Sequence, residues 1–218
     1  MASEAAIATV EPYAAYIVDA DEAAAGLDIF LGLLTRWQKA QNLVSRETLP
    51  AFWLRHVADS LQLLRYLKPD DRTFLDLGSG GGLPAIPLAI AMRGNPKVTF
   101  TLVEPNQRKV SFLHTAAREL GLRLKVEAHR ADEIDSRETL LPEVITSRAL
   151  APLATLCALS APFFGPQTRA LFHKGREHVE ELAESRALWQ FDVLIHPSDT
   201  SVDGAILEMR NLRSRTAA

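Results

Sequence analysis

Between Thr73 and Pro84 the chain reads TFLDLGSGGGLP, and this segment restricts the fold more than any other. Strand-forming residues run straight into Gly78-Ser79-Gly80-Gly81-Gly82. Glycines there let the backbone turn tightly and approach a ligand that a Cβ would exclude. In an open α/β sheet such a turn stands at the carboxyl end of a strand, where ligands bind. Downstream, short β-rich runs alternate with helical ones. Strands are expected at 73–77, 98–103, 124–128, 143–147, 168–173, 190–195 and 205–211, with helices near 84–93, 106–120, 152–161 and 176–188. Alternation of this kind implies a doubly wound, mostly parallel sheet with helices on both faces. The last two strands flank the turn-rich His196–Gly204 segment and read as a closing hairpin, which makes one of the seven strands antiparallel.

Before residue 70 the pattern is helical. Leu27, Phe30, Leu31, Leu34 and Trp37 recur at helical spacing, as do Leu54, Val57, Leu61 and Leu64, and Lys68-Pro69-Asp70-Asp71 then punctuates the chain. The expected organisation is an N-terminal helical extension over 1–70 and a Rossmann-like domain over 71–218, within one structural unit. A length of 218 residues suits one sizeable core. A composition of 47% hydrophobic and 23% charged residues is ordinary for a soluble globular chain, with low complexity suggested at the two ends alone.

The first twenty residues carry acids and no Lys or Arg, unlike a secretory signal. The most apolar run, from Leu83 to Met92, is too short to span a bilayer. A single cysteine, Cys157, excludes an intramolecular disulfide framework and a cysteine-rich metal site, and reads as a small buried residue. A cytoplasmic protein without membrane or metal follows. The net charge of −3 argues against a general nucleic-acid coat protein but leaves RNA open as a partner, because binding depends on where basic residues cluster.

Which ligand suits the glycine turn? A dinucleotide fingerprint needs Gly-x-Gly-x-x-Gly, and counting from Gly78 or from Gly80 puts Leu83 or Ala85 at the third glycine. Both registers fail. What remains is Asp76, two residues before the first glycine, then Gly-x-Gly-x-Gly. A pyrophosphate is repelled by such an acid, whereas S-adenosylmethionine brings an ammonium and a sulfonium. The second strand ends at Glu104, where a carboxylate can accept from both hydroxyls of a ribose; its plainer reading is a solvated loop acid. After the third strand, the Ala131 amide and the Asp132 carboxylate stand where an adenine would lie, although acids there also cap helices. Together these features select the class I S-adenosylmethionine-dependent methyltransferase version of the doubly wound fold.

Methyl transfer from a sulfonium demands placement more than acid–base chemistry, and alignment alone can contribute roughly 7–11 kcal/mol of the barrier. Amine methylation commonly uses an Asn/Asp-Pro-Pro-aromatic loop after the fourth strand, but the chain reads Ile145-Thr146-Ser147-Arg148-Ala149-Leu150 there. Cytosine C5 methylation needs a loop cysteine, and Cys157 lies in a helical run. A ring nitrogen that owns its lone pair needs neither, and no catalytic base is assigned. Arg148 can fork onto a phosphate, stack on a base, pair with the cofactor carboxylate, or simply pair with an acid such as Asp76 or Glu104. Lys174, in His173-Lys174-Gly175, can meet an RNA phosphate or stand solvated.

Taken together, several motifs resemble the bacterial glucose-inhibited division protein B (RsmG) family, the 16S rRNA (guanine-N7) methyltransferases. They are Trp37 with Asn42-Leu43, Arg55-His56-x-x-Asp59-Ser60-Leu61, the Asp76–Pro84 segment, Arg108-Lys109 with Phe112-Leu113, Ser147-Arg148-Ala149 with Pro152-Leu153, and Lys174-Gly175. The likeness runs from about Trp37 to Gly175, and its Arg-His-x-x-Asp-Ser-Leu and Ser-Arg-Ala parts are the most specific. It implies cofactor contacts at Gly78, Leu83, Ala131, Asp132 and Arg148, Glu104 fits its ribose acid, and Gly80 of the turn is expected to join them; the implied target is a guanine N7 of small-subunit rRNA, or of an assembly intermediate. It also implies that the N-terminal helices cover the substrate side, with Asn42, Arg55 and His56 facing the site; a structural hydrogen bond within the helix pair is the alternative for His56. Gln38, Val44, Ala85 and Pro105 depart from the family pattern. A small-molecule methyltransferase on the same fold and a non-catalytic S-adenosylmethionine- or ribosome-binding module stay open as alternatives. RNA recognition through phosphates would weaken steeply with salt.

Overall fold

A computed structural model of the chain describes residues 1–135 and 141–215. The helical extension contains α1 (Glu4–Val10), α2 (Ala20–Gln38) and the single turn α3 (Asp59–Leu61). The sheet follows: β1 (Thr73–Leu77), β2 (Thr99–Val103), β3 (Leu124–Glu127), β4 (Val144–Arg148), β5 (Arg169–Lys174), β6 (Trp189–Pro197) and β7 (Ala205–Ser214). Between the strands lie α4 (Ala85–Ala91), α5 (Gln107–Glu119), α6 (Leu153–Ser160) and α7 (His178–Leu188). The strand order is β3-β2-β1-β4-β5-β7-β6, parallel from β3 to β5, with β7 antiparallel to both of its neighbours. This is the fold that the strand–helix alternation implies. Because β1 has β2 on one side and β4 on the other, the order reverses beside β1, and a crevice opens at the carboxyl ends of β1 and β4.

The central strands are apolar on both faces, as parallel strands covered by helices must be. Alternate residues therefore enter different cores. Phe74 stacks on Phe100 at 4.4 Å, in a core shared with α2, α4 and α5. Leu75 and Leu77 face the second core, built with Leu153, Leu156 and Cys157 of α6 and Leu182 of α7. Burial raises the Cys157 thiol to about 12, so it is an inert packing group.

Two features of the extension differ from the sequence-based expectation. The first residues are ordered helix instead of a low-complexity end. Ser3 caps α1 through its hydroxyl, and Ala6, Val10, Tyr13 and Ile17 form a buried stripe that joins the first core. The second difference is one of phase. Val57, Leu61 and Leu64 are buried, but Leu54 is 54% exposed. Trp53–Ala58 is π-helical, and its wider turn rotates Leu54 off the face that an α-helical count assigns to it. Among the described residues, no helix is long and apolar enough to cross a membrane.

One buried ion pair fastens the end of the extension under the sheet. Arg169, only 2% exposed, donates to both oxygens of Asp71 at 2.9 and 2.6 Å and to the Tyr66 carbonyl at 2.8 Å. Fork geometry of this kind satisfies two charges that water no longer reaches. Removing Asp71 leaves the buried Arg169 charge with only the Tyr66 carbonyl and a longer 3.8 Å contact to Glu208, so Asp71→Ala is expected to cost about 3 kcal/mol. Urea unfolding reads that as a lower midpoint at unchanged slope.

Candidate functional site

The glycine turn is held by the neighbouring strand. The amides of Gly78 and Ser79 both donate to the Val103 carbonyl, at 2.9 and 3.0 Å. Gly78 has φ +69°, and a Cβ there would fall 2.5 Å from the Leu150 side chain. Gly80, at φ +53°, gives its amide to Glu104 Oε2 at 2.9 Å. A Cβ on Gly80 would make only ordinary contacts, with the Gly78 carbonyl at 3.8 Å and Lys109 Nζ at 4.0 Å, at the edge of a space. That space is a cavity of about 300 Å³, walled by Leu43, His56, Gly78, Gly80, Leu83 and Arg148. Gly78, Gly80, Leu83, His56 and Arg148 are thus brought together around one hollow.

Two acids support the turn from below. Glu104 is buried, and its second oxygen accepts from the Asn106 amide at 2.9 Å, so the carboxylate ties the turn to the start of α5. Each oxygen keeps a further lone pair. Asp76 lies deeper, 1% exposed, and accepts from the Thr146 hydroxyl at 2.6 Å through Oδ1. Its Oδ2 is buried with no partner among the described residues. Burial above all, with the Glu104 charge adding and the Thr146 hydroxyl bond opposing, raises the Asp76 carboxyl to about 7.

Arg148 pairs with neither of those acids. Its Nε lies 3.0 Å from Asp59 Oδ2, and its Nη2 donates to the Arg55 carbonyl at 2.8 Å and to His56 Nδ1 at 2.9 Å. The strand end is therefore clasped by the π-helical segment and the α3 turn. Because His56 Nδ1 accepts, its Nε2 carries the proton and donates to the Thr48 hydroxyl at 2.9 Å. Burial, then the Arg148 charge, lowers the His56 imidazole to about 4 against the opposing pull of Asp59, so the ring is neutral at pH 7. Asp59 is also held by Gln62 at 2.8 Å and by the Thr200 hydroxyl at 2.6 Å.

Other expected residues stand elsewhere. Ala131 and Asp132 sit on a 3-10 turn after β3, and exposed Asp132 pairs with Arg130 at 3.0 Å instead of lining this hollow. Asn42 is exposed beside a shallow depression with Arg46. Lys174 is not a free cation: its Nζ is buried against Glu181 at 2.5 Å and the Ala151 carbonyl at 3.1 Å, because the end of β5 tucks under α7. Three contributors lacked an assigned role in the sequence. Gln38 holds the loop that carries Leu43, donating to the Val44 carbonyl and accepting from the Leu43 and Val44 amides at 2.7–3.1 Å. Thr48 accepts from the Nε2 of His56, and Asp59 anchors Arg148. Gln38 and Asp59 stood within the quoted motifs as a departure and a match, but their partners lie too close or too far along the chain for spacing to reveal.

Comparison with known proteins agrees with this architecture. A family profile described as rRNA small subunit methyltransferase G (GidB) matches residues 23–210. The chain is 44% identical over 187 residues to the ribosomal RNA small subunit methyltransferase G of Cereibacter sphaeroides, covering 85% of this chain and 89% of that protein. With the namesake from Methylobacterium nodulans it shares 43% over 192 residues, 88% and 90% of the two chains. Among solved structures, a chain of the fibrillarin/Nop5p complex is similar with a TM-score of 0.55 at 16% identity, covering 71% of this chain and 79% of that one. A mutant of MtNAS in complex with S-adenosylmethionine gives 0.54 at 15%, covering 85% and 74%. These likenesses show the class I methyltransferase fold.

The neutral, buried state of His56 has a sign that can be measured. Its folded pKa lies below the unfolded value, so the unfolded chain takes up the proton first as pH falls. The His56 contribution is complete above about pH 6.5 and is lost progressively down to about pH 4. Urea unfolding of the wild type and His56→Gln at both ends of that window is expected to show the wild-type advantage shrinking by about 3 kcal/mol at the acid end.

Proposed function

The chain belongs to the rRNA small subunit methyltransferase G family, and from that premise we propose that it methylates N7 of a guanine in 16S rRNA, in the cytoplasm, with S-adenosylmethionine as donor. The observation that carries the reading is the glycine turn with the buried, half-partnered Asp76 beneath it. Asp76 lies behind the turn with one oxygen unpartnered, a negative group that favours a cationic ligand end, and the cavity over Gly78 and Gly80 has room for a small ligand. When bound, S-adenosylmethionine supplies a methyl whose bond to sulfur breaks as the acceptor's lone pair forms the new bond, the C–S pair staying on sulfur.

In this reading Gly78, Gly80, Leu83 and Arg148 enclose the cofactor, Glu104 meets its ribose, and Ala131 and Asp132 lie toward its adenine. The extension over 1–70 covers the substrate side of the domain over 71–218. The choice of a ring nitrogen rests on the side chains around the cavity. Among the described residues that line it, the titratable groups are His56, Lys109 and Arg148, with no carboxylate. His56 already accepts from Arg148 through its unprotonated nitrogen and is thus no general base. Guanine N7 carries an available lone pair and loses no proton on methylation, so positioning suffices.

The direct test offers labelled S-adenosylmethionine with unmethylated small subunits, or with protein-free 16S rRNA, and locates the product by mass mapping. N7-methylguanine at one position is expected. Incorporation at another atom, or none in either substrate, would overturn the reading. A second test uses Asp76, which must ionise to face a cation. Calorimetric affinity for the cofactor should rise from about pH 6 to about pH 8.5 as the carboxyl passes its pKa of about 7. Asp76→Asn should bind more weakly and flatten that rise.

A further inference from the structure

Of the titratable side chains that line the glycine-turn cavity, two are already engaged. Arg148 is balanced by Asp59 at 3.0 Å, and His56 is neutral and bonded through both ring nitrogens. The remaining one, Lys109, has no hydrogen bond or ion pair to its ammonium among the described residues.

The helix places this lysine where a cation has little to gain. Asn106 caps α5 by accepting from the amides of Arg108 and Lys109 at 3.0 and 3.3 Å, so Lys109 stands in the first turn. Phe112, Leu113 and Ala116 are buried, and Lys109 heads the same core-facing stripe of the helix. It is accordingly half-buried. One turn further on, Leu113 packs at the glycine turn, 3.3 Å from where a Cβ on Gly82 would fall. The stripe thus directs Lys109 over that turn, and its Nζ lies 4.0 Å from the position of a Cβ on Gly80.

A positive charge in the first turn of a helix opposes the helix dipole. Partly withdrawn from water, it also gives up hydration. Glu104 does not offset these costs: its oxygens take the Gly80 and Asn106 amides, and no ion pair joins it to Lys109 among the described residues. Asn106 already occupies amides of that first turn, so the free group is the ammonium and not the helix end. An unbalanced ammonium over a cavity suits an anion that enters it.

We propose that Lys109 binds the carboxylate of S-adenosylmethionine. The inference rests on the glycine-turn cavity being the cofactor site. The amino-acid end of that molecule bears an ammonium and a carboxylate on one carbon, so a site that attracts the first must accommodate the second. Asp76, behind the turn with one oxygen unpartnered, favours the ammonium. Once ionised, the same acid repels the carboxylate, and Lys109 is the lining charge that no acid balances. Charges of opposite sign on the two groups fix rotation about the carbon that carries them. They fix with it the direction of the chain that leads to the sulfonium, which in-line transfer requires.

Decarboxylated S-adenosylmethionine keeps the ammonium, the sulfonium and the nucleoside, and so isolates the contact. Calorimetry without RNA would compare it with the intact cofactor on the wild type, Lys109→Met and Lys109→Arg. The wild type should prefer the intact cofactor by about 10-fold or more, the size of a charge-assisted contact. Lys109→Met should lose that preference by binding the intact cofactor more weakly, while its affinity for the decarboxylated one falls by no more than about twofold. Lys109→Arg keeps the charge and should keep most of the preference. With its unbalanced ammonium gone, ligand-free Lys109→Met should unfold in urea at a midpoint no lower than that of the wild type. Equal losses for both ligands, as a merely structural lysine would give, would overturn the assignment. So would unchanged affinity of Lys109→Met for the intact cofactor, as a lysine reserved for an RNA phosphate would give. A wild type that binds neither ligand would instead overturn the reading of the cavity as the cofactor site.

Discussion

Arg148 and Asp59 meet at 3.0 Å with most of both side chains out of water, and the arrangement of the site depends on that contact. Two charges withdrawn from solvent persist only when they are paired and their remaining hydrogen-bonding capacity is met. Here it is met by three separate parts of the chain. Arg148 takes the Arg55 carbonyl and His56 from the π-helical segment, while Asp59 takes Gln62 from its own helical stretch and Thr200 from the β6–β7 loop. A wide helical turn, a strand end and a hairpin loop are fixed relative to one another by one ion pair and its attached bonds. The π-helical geometry of Trp53–Ala58 is what brings the Arg55 carbonyl, the His56 ring and the following Asp59 to the same guanidinium.

The consequences reach two cavities. On one side the clasp sets the wall opposite the glycine turn, whose own shape is held by the Val103 carbonyl and by Glu104. On the other side it lines a hollow of about 580 Å³ that ends at Gly175 and the β6–β7 loop. A positioning enzyme needs rigidity at the junction of its two ligands more than it needs a proton carrier. The contacts of His56 and Asp59 with Arg148 supply rigidity of that kind.

Much of the fold is legible in the residues. Apolar runs after Thr73 locate the seven described strands to within a few positions, most plainly β1, β4 and β5, because parallel strands buried on both faces cannot be anything but apolar. The glycine turn is equally plain, since its positive φ angles leave little choice of residue. The partners of individual charges are another matter. Arg148 was free to meet Asp76 or Glu104 as far as spacing goes, and only the packing of the extension onto the sheet selects Asp59, far back along the chain. Lys174 looks like a phosphate ligand until α7 brings Glu181 over it. Leu54 looks buried under an α-helical count and is exposed under a π-helical one. The stripe of Ala6, Val10, Tyr13 and Ile17 was readable at helical spacing and is hidden only by the bland composition of its surroundings.

The claim that the clasp couples the extension to the glycine-turn cavity, the proposed cofactor site, is tested most directly by a double-mutant cycle. Arg148→Met, Asp59→Asn and the pair together would be compared for S-adenosylmethionine affinity by calorimetry and for stability by urea unfolding. If the contact acts as a unit, the double variant costs less than the sum of the singles in both measurements, by about 1–3 kcal/mol. Losses that simply add in both would contradict the account.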